Sequence, residues 1–260
     1  MTPTESVAGP ALPRPPGWAE LGRRPCALFL DVDGTLLEFE EHPDLVRATQ
    51  GLVSLLTSIE SALDGALAVI SGRPLQDLDR VFAPWRPLGA GIHGAEVRDR
   101  QGEHRFDSNS DAVAPIRDRV DQIVASIPGA WTEDKGTSLA VHHRAAPEAG
   151  PELAERLAPL ALEGSGFAIL EGVLVVELRP SSHDKGTALD ELMDQSPFAG
   201  RTPVVVGDDT TDEDAFVAAG RHGGLAVIVG TRSETAATYR LHDPAAVRGW
   251  LTELIEEVRP

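Results

Sequence analysis

The chain has 260 residues, 42% of them hydrophobic and 25% charged, with a net charge of −18. That length exceeds one average domain and suits a core carrying a smaller insertion, and the composition excludes disorder along the whole chain. The acidic balance argues against nucleic acid as a partner, because a duplex is held mainly by basic residues. It would also repel a small phosphate ester at long range, so an anion site here needs local cations and invites a metal. The single cysteine, Cys26, permits no intrachain disulfide and no cysteine-based zinc site, which is compatible with a reducing cytoplasm. No apolar run reaches the roughly 18 residues needed to span a bilayer, and the N-terminus lacks the order of a signal peptide. A cytoplasmic monomer is expected, with a small molecule as its partner and no nucleic acid or membrane.

Residues 1–24 contain Pro3, Pro10, Pro13, Pro15 and Pro16 without apolar periodicity, which predicts a flexible arm. Residues 27–30 form a short apolar run that predicts a buried strand delivering Asp31 to its C-terminal end. A helix is predicted over 44–61, and a second buried strand over 67–70, ended by Ser71 and Gly72. Further such strands are predicted over 203–206, ended by Gly207-Asp208-Asp209, and over 225–229, ended by Gly230. Strand, polar tip and helix recur, so the fold class is α/β with a doubly wound parallel sheet. In such sheets ligands bind beyond the carboxyl ends of the strands, which gathers Asp31, Asp33, Ser71, Asp208 and Asp209 around one crevice.

About half the chain separates the second and third core strands, far more than one crossover helix requires. An inserted domain is predicted there, with helices over 112–127 and 152–162 and strands over 137–143 and 173–178. The expected division is an arm at 1–24, a core at 25–108 and 179–260, and a small α/β cap at 109–178.

Asp31-Val32-Asp33-Gly34-Thr35 sets two carboxylates on alternate residues just past an apolar strand. One can attack phosphorus while the other protonates the departing oxygen and later activates water. Asp-Gly is also a common turn pair, so a strand running into a turn is the lesser alternative for the segment alone. Gly207-Asp208-Asp209-Thr210-Thr211-Asp212-Glu213-Asp214 crowds five acids into eight residues. Such crowding favours a hard cation, and magnesium takes oxygen ligands of this kind, with Asp208 the preferred one. Asp212, Glu213 and Asp214 are better explained by the dipole of the next helix. Ser71-Gly72-Arg73 offers a hydroxyl and backbone N–H groups to a phosphoryl group. Lys185 opens a predicted helix over 187–193, against the dipole preference, and invites an anionic partner.

In this order, Asp31-Val32-Asp33-Gly34-Thr35, Ser71-Gly72-Arg73, Lys185 and Gly207-Asp208-Asp209 resemble the four motifs of haloacid-dehalogenase-superfamily phosphatases. Gly91-Ile92-His93-Gly94-Ala95-Glu96, Glu133-Asp134-Lys135, His142-His143-Arg144, Glu177-Leu178-Arg179-Pro180 and the acidic run at 208–214 narrow the resemblance to the trehalose-6-phosphate phosphatase family. The likeness covers nearly everything after the arm. It implies a Rossmann-like core with an inserted α/β cap, and hydrolysis of trehalose 6-phosphate through an aspartyl-phosphate intermediate. Carried over by position, Asp31 is the nucleophile and Asp33 the general acid/base, while Ser71 and Lys185 hold the phosphoryl group. Mg2+ is then bound by Asp31, Asp33 through its backbone carbonyl, and Asp208. Arg73, Glu133, Lys135, Glu177 and Arg179 fall to the substrate, and without the resemblance the cap residues would read as surface charges. Val32 stands where this family often has an aromatic residue, and by strand alternation it points away from the phosphate. His142 and His143, adjacent in a strand, face opposite ways, so one of them is structural.

Three competing readings remain open at this stage. Gly89-Ala90-Gly91-Ile92-His93-Gly94 formally matches a dinucleotide fingerprint, but prolines precede it and no helical pattern follows. A phospho-accepting signalling domain also uses an acidic pocket at parallel strand ends, yet has no need of an enclosing cap. A phosphatase for a different sugar phosphate is the alternative that sequence separates least well.

Overall fold

The computed structural model describes residues 12–21, 25–40, 42–100, 102, 104–106, 113–136, 138–162, 166–172 and 174–258. In chain order the elements begin α1 (Trp18–Leu21), β1 (Cys26–Leu30), α2 (Gln50–Ala62), β2 (Leu67–Ile70), α3 (Leu75–Phe82), β3 (Leu88–Gly91), β4 (Glu96–Arg98) and β5 (His104–Phe106). There follow α4 (Ala114–Val124), β6 (Trp131–Asp134), β7 (Leu139–His142), α5 (Gly150–Leu162), β8 (Phe167–Gly172) and β9 (Val175–Pro180). The chain ends with α6 (Lys185–Met193), β10 (Thr202–Gly207), α7 (Asp212–Arg221), β11 (Leu225–Val229), β12 (Tyr239–Leu241) and α8 (Pro244–Val258).

β1 (Cys-Ala-Leu-Phe-Leu), β2 (Leu-Ala-Val-Ile) and the Pro203–Val206 stretch of β10 are apolar and buried, as strands covered on both faces must be. They lie in an eight-stranded sheet of order β12-β11-β10-β1-β2-β3-β4-β5, parallel from β12 to β3 with β4 and β5 antiparallel at one edge. Phe29 pairs with Val205 on one side and Ala68 on the other. The chain moves outward from β1 to β2 and β3, then returns to place β10 on the opposite flank of β1. The order reverses between β1 and β10, and a crevice opens beyond the ends of these strands. Among the described residues, no helix is long and apolar enough to cross a membrane. Gly89–Gly94 runs from β3 through a short 3-10 turn into β4 rather than into a helix, so the dinucleotide fingerprint lacks its structural context.

A second, antiparallel sheet has the order β6-β7-β9-β8. Leu139, Val141, Val176 and Leu178 alternate along its two central strands and pack with Ile116 and Val120 of α4 and Leu153 and Leu157 of α5 in a separate apolar core. Thr137, Val173 and Ala112, at the starts of three predicted elements, and the expected division at 108/109 lie outside the described residues. β9 continues to Pro180, so the expected limit after Leu178 falls within that strand.

The arm requires a correction. Residues 1–11 and 22–24 lie outside the described residues, but residues 12–21 are packed, with Leu12 and Leu21 against the main core. The Pro16 carbonyl accepts from Trp250 Nε1 at 3.0 Å, the Pro13 carbonyl from Arg240 N at 2.9 Å, and Arg14 pairs with Glu253 at 2.6 Å. Prolines lack an N–H but keep a carbonyl, so a Pro-rich segment can still dock as an acceptor along an element with free donors.

Candidate active site

Asp31 is the first residue past β1 and Asp208 the first past β10, so the reversal in strand order sets the two carboxylates side by side. Asp31 is buried, its N–H donates to Val206 O at 3.0 Å, and its Oδ1 accepts from Lys185 Nζ at 2.7 Å. Lys185 is the first residue of α6, whose start is fixed by a capping box. Asp184 Oδ1 accepts from Thr187 N at 2.7 Å, and Asp184 N donates to Thr187 Oγ1 at 2.9 Å. A cation at a helix N-terminus opposes the dipole, and here it is held by two carboxylates, because Nζ also donates to Asp212 Oδ1 at 2.8 Å. Asp212 Oδ2 in turn accepts from the N–H groups of Asp208 and Asp209, both at 3.1 Å. Thr35 Oγ1 donates to Asp208 Oδ1 at 3.1 Å. Gly34 has φ +82°, and a Cβ there would fall 2.2 Å from Asp208 Oδ2, so only glycine fits between the two motifs.

Three buried or half-buried acids therefore face one ammonium. Burial, with the neighbouring Asp212 and Asp33 charges, pushes the Asp31 carboxyl up to about 7 although Lys185 opposes it. Burial and the charges of Asp31 and Asp212 push Asp208 up to about 9. Burial alone would lower Lys185, and Asp212 and Asp31 outweigh it to raise that ammonium above its usual range. Oxygen atoms of Asp31, Asp208 and Asp212 lie within 4.8 Å of one another. An all-oxygen set with uncompensated negative charge fits a hard divalent cation.

These shifts set the pH dependence of the metal-free protein. A carboxyl raised in the folded state holds its proton better there than when unfolded, so its ionisation above pH 3.8 works against folding until the folded group also ionises. In the presence of a chelator these two groups are expected to lower the melting temperature from about pH 4 to about pH 9, and to lower it less in Asp208→Asn. A divalent cation should raise it more at the alkaline end, because its ligands must be deprotonated. Identical pH slopes for the wild type and Asp208→Asn in chelator would refute this account.

Asp33 points into the same crevice, where Arg73 holds it bidentately through Nε to Oδ2 and Nη2 to Oδ1, both at 2.6 Å. Asp33 outweighs burial and keeps the Arg73 guanidinium charged. Ser71 is buried and its Oγ accepts from Arg73 N at 3.1 Å, so the loop after β2 is closed on itself around that hydroxyl.

The second sheet faces these groups. Pairing sets Glu133 opposite Ala140, Ala140 opposite Glu177, and Glu177 opposite Leu170, one row across the sheet. The next row is Trp131, His142, Val175 and Gly172. Residues of both rows line the crevice, because strand alternation turns them away from the apolar core under α4 and α5. Glu177 is buried, accepting from Ser138 Oγ at 2.7 Å and Lys135 Nζ at 3.1 Å. Burial would raise its carboxyl, but Lys135 and His93 hold it well below the usual range. Lys135 Nζ also donates to Gly72 O at 3.1 Å, which ties the second sheet to the loop after β2. Glu133 contacts His142 Nε2 at 2.7 Å, and the His142 ring stacks on Trp131 with centroids 4.2 Å apart. His143 instead packs over Gly150, where a Cβ would meet its ring at 2.8 Å, so the two histidines face opposite ways as expected.

Residues 29–245 match the family described as trehalose-phosphatase. The chain is 41% identical over 229 residues to trehalose-6-phosphate phosphatase of Escherichia coli, covering 86% of this chain and 85% of that one. The chain belongs to the trehalose-phosphatase family. It is also 41% identical over 206 residues to a probable trehalose-phosphate phosphatase of Sinorhizobium fredii, covering 78% and 77% of the two chains. The fold matches the C-terminal domain of Candida albicans trehalose-6-phosphate phosphatase with a TM-score of 0.82 at 23% identity, over 95% of this chain and 100% of that one.

Within this trehalose-phosphatase chain, Asp31, Asp33, Ser71, Arg73, Lys185 and Asp208 meet at the sheet end, and Glu133, Lys135 and Glu177 meet them from the second sheet. Arg179 stands apart. It donates to the His183 carbonyl and approaches Asp214 of α7 at 3.7 Å, fastening the end of β9 without lining the crevice. Asp212 is the residue that sequence reasoning undervalued. An acid in the first turn of a helix is ordinary, and only the fold shows its carboxylate turned back onto Lys185. Ser138 and His93 around Glu177 were also missed, although the Gly91–Glu96 motif carried His93 in plain view.

Proposed function

We propose that this chain hydrolyses trehalose 6-phosphate to trehalose and phosphate with Mg2+ as cofactor. The observation that carries the reading is the convergence of Asp31, Asp33, Lys185 and Asp208 with Glu133, Lys135 and Glu177 around one crevice. The names of its relatives support the substrate. Residues 25–108 and 179–260 are read as the core and 109–178 as a cap over it.

Asp31 attacks phosphorus, forming an aspartyl phosphate as the ester bond to the sugar oxygen breaks. Asp33, with one oxygen released from the Arg73 fork as substrate enters, gives its proton to the sugar oxygen. It then takes one from the water that hydrolyses the acyl phosphate and regenerates Asp31. Lys185 Nζ and Ser71 Oγ contact the phosphoryl oxygens, offsetting their charge where the protein as a whole is acidic. Asp31, the Asp33 carbonyl and Asp208 would hold Mg2+, with Asp212 beside them, and the ion would neutralise charge on the phosphoryl group. Glu133, Lys135 and Glu177 bind the sugar hydroxyls, and closure of their sheet over the crevice excludes water.

Phosphate release measured over a panel of sugar phosphates tests this directly. Trehalose 6-phosphate is expected to give the highest kcat/KM, and thorough chelation to abolish it, with Mg2+ restoring activity and Ca2+ doing so poorly because its looser, higher coordination misplaces the in-line attack. A higher kcat/KM for another sugar phosphate would move the chain to a different substrate. Activity that survives chelation would remove the metal from the reading.

A further inference from the structure

His93 takes no part in the chemistry above, yet it sits between the two halves of the site. It is 6% exposed, follows β3, and has φ 52°, a backbone conformation that a residue with a Cβ adopts only when its surroundings hold it there. Its N–H donates to Ser71 O at 3.0 Å. Its ring lies so close to Gly72 that a Cβ there would fall 2.7 Å from both Cε1 and Nε2. On the other side Nε2 is 3.4 Å from Glu177 Oε2. Nδ1 is buried without a hydrogen-bond partner among the described residues. Burial holds the ring below its ordinary pKa in spite of Glu177, and a proton on Nε2 serves the carboxylate.

The contacts close into a circuit. Glu177 Oε2 meets both His93 and Lys135, and Lys135 Nζ returns to Gly72 O at 3.1 Å. Gly72 stands between Ser71, which lines the crevice, and Arg73, which holds Asp33. The carboxylate on the second sheet and the loop on the first are thus braced against the same imidazole, which is held there although burying Nδ1 unpaired costs free energy.

We propose that His93 is a positioning residue that braces the Glu177 carboxylate against the Gly72 loop, so that this sugar-facing group keeps its working position. This rests on the reading of Glu177 and Lys135 as sugar ligands. It predicts coupling between His93 and Glu177 that appears with trehalose 6-phosphate and is small with an aryl phosphate that does not reach the second sheet.

The experiment is a double-mutant cycle of His93→Ala and Glu177→Gln, with His93→Gln as the conservative variant, measured on trehalose 6-phosphate and p-nitrophenyl phosphate. His93→Ala is expected to lower kcat/KM roughly tenfold more for the sugar phosphate than for the aryl ester, and the double variant to be little worse than Glu177→Gln alone. His93→Gln, whose amide N–H reaches near the Nε2 position, should recover most of that loss. Multiplicative losses, equal losses on both substrates, or no recovery by glutamine would each overturn the proposal. If His93→Ala does not fold, the cycle is run with His93→Gln and His93→Asn, which place an N–H at the Nε2 and Nδ1 positions respectively, and equal behaviour of the two would overturn it. A Glu177→Gln variant with an unchanged substrate ratio would defeat the sugar-ligand reading itself. A changed ratio for Glu177→Gln beside unchanged ratios for the His93 variants would defeat the positioning role alone.

Discussion

Asp31→Asn is expected to lose phosphate release by several orders of magnitude while keeping its fold, and in chelator to melt at or above the wild-type temperature. A carboxamide does not attack phosphorus and is a poor ligand for a hard cation, so the covalent step and the metal site fail together. Stability moves the other way because Asp31 is buried among Asp208 and Asp212, with Lys185 the only ammonium paired to them among the described residues. Removing one charge relieves that repulsion, and the amide oxygen can still accept from Lys185 Nζ. Such a site, costly to the fold and needed for activity, is where replacements commonly stabilise. Steady-state phosphate release and thermal melts with and without Mg2+ measure both halves of the expectation. Substantial turnover in a preparation whose mass excludes deamidation back to aspartate would sink the nucleophile assignment. A large drop in metal-free melting temperature would instead show that the Asp31–Lys185 pair outweighs the repulsion.

What could be read from the sequence follows the physics of each element. β1, β2 and β10 are covered on both faces, so they stand out as unbroken apolar runs whose polar ends mark the crevice. β6 reads Trp-Thr-Glu-Asp and is mostly exposed or half-buried, because its alternate residues are committed to the crevice rather than to a core. The charges that make it useful hide it as a strand. β8 is half-buried for the same reason. The short strand β4 carries Arg98, which is buried against Asp79 at 2.5 Å, a pairing 19 residues away that no local pattern reveals. α8 was not predicted, although Val247, Trp250, Leu251 and Leu254 form a helical stripe and all are buried. The docking of residues 12–21 was not legible, because acceptor carbonyls leave no trace in side-chain chemistry. The acids and Lys185 of the crevice could be named from motifs, but the turn of Asp212 onto Lys185 depends on how α6 meets α7.

Glu177→Gln is expected to lower kcat/KM for trehalose 6-phosphate by tens-fold relative to a small aryl phosphate. The carboxylate is buried and ionised, held by Ser138 and Lys135 on the sheet that faces the phosphoryl site. Replacing it with an amide of the same shape avoids a cavity but turns an acceptor into a donor, leaving a sugar hydroxyl and Lys135 competing for one oxygen. An unsatisfied polar group in a closed site costs about 1 to 3 kcal/mol, which corresponds to roughly 5- to 150-fold in rate. Discrimination built on hydrogen bonds is stronger than discrimination by shape, so the effect should concentrate on the substrate that carries the hydroxyls. Lys135→Ala should behave differently. Its ammonium also holds Gly72 O, beside Ser71 and Arg73, so its removal disturbs the phosphoryl-holding loop and should slow both substrates while still slowing the sugar phosphate more. Kinetics of both variants on both substrates decide the matter through the ratio of losses. Equal losses for Glu177→Gln would return that residue to support of the fold. A Lys135→Ala loss confined to the sugar phosphate would show that its bond to the Gly72 loop carries nothing into catalysis.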